Sequence, residues 1–229
     1  MENIVIGIEG YVGAGKTSIC RELLEKIPNS ILLHGGNLYR AIVYALMNMQ
    51  KNSINLNNLS QNLKNIDIKE LMDKLQIKLE IENRETVFYM AGKKIDEQEL
   101  QSQENSLAVS IAGKSADNSH LYVFAKTLID MYKKNFNVIV SGRDLMKIYP
   151  GLNYHFLITA SVDERVRRKC IQYNESIDCE KIKVNIMERD KLQEEAGYYK
   201  RYSNTIEIDV TKCNDAGEGA NMILNKISM

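Results

Sequence analysis

Eight residues near the start, Gly10-Tyr11-Val12-Gly13-Ala14-Gly15-Lys16-Thr17, follow the pattern G-x-x-x-x-G-K-[ST] in full. Each residue type has a physical task. Glycines let a loop turn its backbone N–H groups toward an anion in conformations that a Cβ forbids. A helix beginning near Lys16 would aim its positive dipole end at the same charge. Lys16 is long enough to reach the β- and γ-phosphates of a nucleoside triphosphate, and the Thr17 hydroxyl suits a magnesium ion. Gly10, Gly13, Ala14, Gly15, Lys16, Thr17 and Ser18 are therefore the expected donor-binding residues, with Thr17 as metal ligand and ATP with Mg2+ as the expected cofactors.

Such a loop works only between a buried strand and a helix, and the flanking sequence supplies both. Asn3 to Ile8 is an apolar run, expected as a core strand rather than a signal peptide, and Lys16 to Lys26 has helical periodicity. Further apolar runs at 30–33, 137–140, 155–159 and 205–210 alternate with helical patterns at 38–49, 121–134, 162–173, 180–200 and 216–227. Ser161-Val162-Asp163-Glu164 has the form of a capping box. Continuous apolar strands alternating with helices predict an α/β fold with a five-stranded parallel sheet flanked by helices.

Residues 76–94 break that rhythm. Gln76 to Glu82 alternates with period two, Asn83-Arg84-Glu85 turns, Thr86 to Met90 follows, and Ala91-Gly92-Lys93-Lys94 turns again. This predicts a small antiparallel sheet inserted into a single domain. The core is expected at 1–50 and 115–229, with a helical lid near 168–200 and an inserted acceptor lobe at 51–114.

Net charge is zero over 229 residues, which argues against general nucleic-acid binding. No apolar run reaches the length of a membrane span. The four cysteines have no metal-site spacing and are expected as free thiols in a reducing cytoplasm. A monomer with small nucleotides as its partners, no nucleic acid and no membrane, fits these data. No Asn-Lys-x-Asp base reader of GTPases is present, and Val138-Ile139-Val140 runs into Ser141-Gly142-Arg143-Asp144 rather than an acidic pair. A chain of this size with a small inserted lobe favours a kinase of small acceptors.

Four further segments resemble one family. Gly35-Gly36-Asn37-Leu38-Tyr39-Arg40-Ala41 is similar to the T-G-A-M-Y-R-A segment of bacterial cytidylate kinases, and Ser141-Gly142-Arg143-Asp144 to their D-G-R-D. The run from Phe156 to Arg168 resembles their F-L-T-A-S-x-E-E-R-x-x-R-R, and Glu188-Arg189-Asp190 their E-R-D. Order and spacing hold from the P-loop to about residue 190. The resemblance implies magnesium-ATP as donor and CMP or dCMP as acceptor. It implies Arg40 and Arg189 as phosphate clamps, Asp144 as reader of the acceptor nucleoside and Arg143 beside it. Lys16, Arg143 and Arg189 would form the catalytic set, with Arg165 and Arg168 holding ATP from the lid.

The chain departs from the pattern at several positions. Tyr11-Val12 replaces a serine-containing element of the loop, His34-Gly35 an acidic pair with a hydroxyl residue, Tyr122 an arginine, and Ser141 the acid that opens D-G-R-D. The stretch 191–196 has lost its arginines, with Lys200 and Arg201 further on as possible substitutes. Glu9, Asp144 or water would then complete the magnesium shell. A slow cytidylate kinase, a kinase of another small acceptor and a nucleotide-binding protein without turnover all stay open.

Overall fold

The computed structural model describes residues 2–49, 67–102, 104–106, 108–109, 119–173 and 178–227. The first part of the expected acceptor lobe, up to residue 66, lies outside the described residues.

Five strands make the parallel core: β1 (Val5–Gly10), β2 (Ser30–His34), β6 (Asn137–Ser141), β7 (Tyr154–Thr159) and β8 (Thr205–Asp209). They lie in the order β2-β6-β1-β7-β8, all in parallel register. β1 and β2 are buried along their whole length. That explains why they read as continuous apolar runs: helices cover both faces of a parallel sheet. α1 (Lys16–Lys26) and α9 (Ala216–Leu224) pack on one face through Ile19, Leu23 and Ile223. α5 (Ser119–Lys133) and the short α6 (Leu145–Ile148) cover the other through Ile129 and Leu145.

The expected antiparallel meander forms, as β3 (Ile77–Glu82), β4 (Glu85–Met90) and β5 (Lys93–Lys94). It is not a separate sheet. β4 joins the free edge of β2 at Leu32 and Glu85, so the lobe and core share one eight-stranded sheet. Period-two patterning specifies a strand but not its lateral neighbour, so this junction was invisible in sequence. Behind the meander, α2 (Gly35–Met49), α3 (Ile68–Lys74) and α4 (Glu97–Leu100) enclose Phe88 in a second apolar cluster. Asp67 and Asp96 cap α3 and α4 by accepting backbone N–H bonds.

The region expected as a lid holds an antiparallel helix pair, α7 (Val162–Tyr173) and α8 (Cys179–Glu195). Ser161 Oγ accepts the Glu164 N–H at 3.3 Å, which is the cap expected from sequence. α8 stops at Glu195 rather than at residue 200, because Gly197 and Tyr199 take left-handed backbone conformations with φ of 80° and 61°. Cys170 and Cys179 form a disulfide between the two helices, their Cα atoms 6.0 Å apart. This corrects the expectation of four free thiols. The hairpin brings together residues whose separation of nine matches no sequence motif. Cys20 and Cys213 are free.

Phe156 lies on β7 inside the main core and is wholly buried. Truncation by Phe156→Ala should lower stability by about 3–5 kcal/mol through lost transfer energy and an unfilled cavity, read as a reduced urea midpoint with unchanged slope.

Candidate functional site

The carboxyl ends of β1, β2 and β6 converge on one cleft, where ligands of open α/β sheets sit. The first element of this cleft is the loop after β1. Gly10 has φ of 153°, and a Cβ there would stand 2.3 Å from the Ile158 carbonyl oxygen. Gly13 has φ of 78°, and a Cβ would press on the Arg165 backbone at 3.2 Å. The glycine pattern therefore records both conformation and close packing.

Lys16 closes the loop on itself. Its Nζ donates to the carbonyls of Gly10 at 2.5 Å and Tyr11 at 2.9 Å. Burial, and then the nearby charge of Arg143, pushes its pKa well below the ordinary lysine value. Lys16, Thr17 and Ser18 line a cleft of about 630 Å³ with Ser141, Arg168 and Lys169. A second cavity of about 140 Å³ adjoins it, and Arg40, Arg143 and Arg189 line both spaces.

These three arginines have little to neutralise them. Arg143 donates through Nε to the Gln193 side-chain oxygen at 3.0 Å, and Arg40 donates through Nη1 to the Asn37 side-chain oxygen at a long 3.5 Å. The Nε atoms of Arg40 and Arg189 are buried without a hydrogen-bond partner among the described residues. Burial, then mutual repulsion, pushes Arg40 down to about 9 and lowers Arg189. Buried N–H donors left unsatisfied cost free energy, and an oxyanion supplies what they lack.

Expected residues separate into two groups. Arg168 lines the cleft and donates to the carbonyls of Ala14 at 3.2 Å and Val210 at 2.7 Å. Arg165 does not line it: only 4% exposed, it donates to Val12 O at 3.1 Å and to Asp190 at 2.6 Å. Burial holds Asp190 above its ordinary value even so. Asp144 is 6% exposed and lines neither cavity; its carboxylate accepts from Tyr122 Oη at 2.6 Å and Lys147 at 3.1 Å. Lys200 lies over the Tyr202 ring and Arg201 pairs with Glu207 at 2.8 Å, so neither stands in for the arginines missing after Asp190.

The magnesium question narrows in the same way. Glu9 is buried, accepts the Leu145 N–H at 2.7 Å and faces His155 at 3.2 Å. Among the described residues no cluster of three or more histidine, cysteine or carboxylate side chains could hold a metal ion. The hydroxyls of Thr17 and Ser141 remain, a donor set that fits magnesium carried mainly by phosphate oxygens and water.

Two residues of the site lay outside the set expected from sequence. Lys169 lines the cleft, and its position four residues after Arg165 was the available signal. Tyr11 stacks on Tyr199 with ring centroids 4.2 Å apart and donates to Glu194 at 3.2 Å, joining loop to lid. No pattern pairs positions so far apart. His34 also lines both cavities and bonds Glu85 at 2.8 Å.

A glycine-built anion cradle at the end of β1, facing convergent arginines on a five-stranded parallel core, defines a P-loop nucleotide-binding protein. The cytidylate kinase family model matches residues 6–227, and the chain belongs to that family. It is 29% identical over 202 residues to a cytidylate kinase of Alkaliphilus oremlandii, covering 86% of this chain and 85% of that one. A cytidylate kinase of Clostridioides difficile is 28% identical over 219 residues, covering 92% of each. One of Halalkalibacterium halodurans is 25% identical over 220 residues, covering 92% and 91%.

Two outcomes follow from this geometry. Gly10→Ala should cost at least about tenfold in ATP affinity by calorimetry, since strain and the Ile158 clash must reshape the cradle. Burial, then Arg189 and Arg40, holds Lys169 at about 8, below the value of 10.5 for a free lysine. The folded state thus binds fewer protons than the unfolded state between these values, and the unliganded protein should gain stability as pH rises through that window. A bound triphosphate raises the Lys169 pKa again. Calorimetry at pH 8 in buffers of different ionisation enthalpy should therefore register proton uptake with ATP, which Lys169→Met lowers.

Proposed function

We propose that this chain transfers the γ-phosphate of magnesium-ATP to a nucleoside monophosphate, with CMP and dCMP as the acceptors that family membership favours. The observation that carries this reading is the position of Arg40, Arg143 and Arg189. They line both the P-loop cleft and a second cavity, and the Nε atoms of Arg40 and Arg189 have no hydrogen-bond partner among the described residues. A group poised between two bound nucleotides needs this arrangement, because phosphoryl transfer asks a protein mainly to align its reactants and neutralise spreading charge.

In this reading the amides of Gly13, Ala14, Gly15, Lys16, Thr17 and Ser18 hold the donor phosphates, with Arg168 at the lid side. Lys16 exchanges its two carbonyl partners for phosphate oxygens. The hydroxyls of Thr17 and Ser141 would hold magnesium, and the ion would supply positive charge to the donor phosphates. Arg40 and Arg189 clamp the acceptor phosphate, and Arg143, steadied by Gln193, bears on the transferring group. Asp144 fixes Tyr122 and Lys147, and Tyr122 forms part of the acceptor wall. Arg165 serves the donor indirectly by holding the Val12 carbonyl.

A nucleotide-binding protein without turnover is the competing reading. It draws support from Ser141, where the family has an acid, and from the engagement of Glu9 and Asp144 away from the cleft. A coupled ADP-release assay separates the two. The unmodified protein should phosphorylate CMP or dCMP, and Arg40→Ala should lower kcat/KM by about 10²-fold or more with the KM for ATP little changed. ATP binding without transfer to any monophosphate at millimolar concentration would uphold the second reading, and activity gained by Ser141→Asp would then identify a decayed kinase.

A further inference from the structure

His34 stands where several elements of the site meet. It ends β2, pairs in register with Ser141 at the end of β6, and leads into Gly35 and Gly36, which open α2. Its side chain is only 7% exposed, yet it lines both the P-loop cleft and the second cavity. Arg40, Arg143 and Arg189 line the same two spaces. A Cβ on Gly36 would stand 3.1 Å from Arg40 Nη1, so a guanidinium lies against the first turn of α2, beside His34.

This junction is rich in donors. Guanidinium groups only donate, and the first turn of α2 presents backbone N–H groups with no acidic residue near them. The Nε atoms of Arg40 and Arg189 are buried without a hydrogen-bond partner among the described residues. An oxyanion is the ligand that such a set accepts.

The imidazole is held in place from β4. The His34 backbone N–H donates to Thr86 Oγ1 at 2.8 Å, and its Nε2 lies 2.8 Å from Glu85 Oε2. Against the cost of burial, His34 and Arg21 hold the Glu85 carboxyl below its ordinary value, so it is ionised and can only accept. Nε2 therefore carries the hydrogen of this bond, and Nδ1 is the ring nitrogen left for a ligand. To bond an oxyanion, Nδ1 must carry a hydrogen too; the ring is then an imidazolium balanced by Glu85.

We propose that His34, oriented by Glu85, is an anion ligand of this junction and binds the phosphate group of the acceptor through Nδ1–H, beside Arg40 and Arg189. Assigning that phosphate to an acceptor rests on the transfer reading given above; the anion site itself does not.

Sulfate is the probe, since it stays a dianion at neutral pH, with magnesium and a non-hydrolysable ATP analogue filling the P-loop. The chain has three histidines, whose imidazole nitrogens can be followed separately by NMR in 15N-labelled unmodified protein. Sulfate should move the His34 Nδ1 signal toward the protonated, hydrogen-bonded form and leave Nε2 nearly unmoved. A glutamine amide reaches the place of Nε2 and keeps the Glu85 bond, whereas an asparagine amide falls near Nδ1 and keeps a donor for the ligand. Sulfate affinity by calorimetry should therefore drop by about tenfold or more in His34→Gln and by less in His34→Asn. In the ADP-release assay His34→Gln should raise the KM for CMP by a similar factor with the KM for ATP little changed. An Nδ1 signal that ignores sulfate, or variants that bind sulfate as tightly as the unmodified protein, overturns the proposal. Should the variants fail to fold, the NMR titration of the unmodified protein decides it alone. Absence of turnover with every monophosphate rejects the transfer reading instead, and the sulfate titration still decides whether His34 binds an oxyanion.

Discussion

Positive charge held out of water without negative charge to match it is the constraint around which this molecule is arranged. Lys16, Arg40, Arg143 and Arg189 crowd one region, and burial, with neighbouring cations adding to it, depresses the pKa values of Lys16, Arg40 and Arg189. Like charges a few ångströms apart repel more strongly as the surroundings become less polar. Carbonyl and amide oxygens ease this only in part, through Gly10, Tyr11, Asn37 and Gln193. The apolar packing of the sheet and its helices supplies the stability that tolerates the mismatch. What looks like a defect in the isolated chain is pre-organisation for a polyanion, since the cost of gathering the cations is met during folding rather than during binding.

The helix pair α7 and α8 is wired to the loop by residues that need not touch a nucleotide. Arg165 joins Val12 of the loop to Asp190 of α8, and the guanidinium lies 5.2 Å from the Tyr11 ring. Val12 packs against Ile182 and Ile186. Tyr199 stacks on Tyr11 and shares Gln193 with Arg143. The conformation of the glycine loop is thus tied through packed rings and hydrogen bonds to the helix that carries Arg189.

Sequence revealed most where the determining pattern is local. The loop consists of eight consecutive residues, and each core strand is a short apolar run, so both were legible together with the helix starts at Lys16 and Val162. Contacts across long separations were not. The join of β4 to β2, the Cys170–Cys179 bond, the Tyr11–Tyr199 stack and the turn of Asp144 toward Tyr122 depend on which surfaces meet after folding. The arginines of α7 show the difference well. Arg165 and Arg168 looked equivalent in the helix pattern, but a rotation of three residues sends one under the loop and the other to the cleft. Period and charge can name a face; they do not say what the face will touch.

The attachment of the meander to the core also bears on how the protein meets its solvent. The two meet at one rung of parallel ladder, Leu32 with Glu85, reinforced by Arg21 with Glu85 and Glu97, by Arg84 with Glu25, and by His34 with Glu85. Arg21 and Arg84 are half exposed, so mobile ions shield their pairs readily, while the hydrocarbon that binds the five core strands is indifferent to such shielding. Ionic strength therefore acts unevenly on this chain: brine loosens the seam at the sheet's edge and leaves the nucleotide cradle's own foundation untouched.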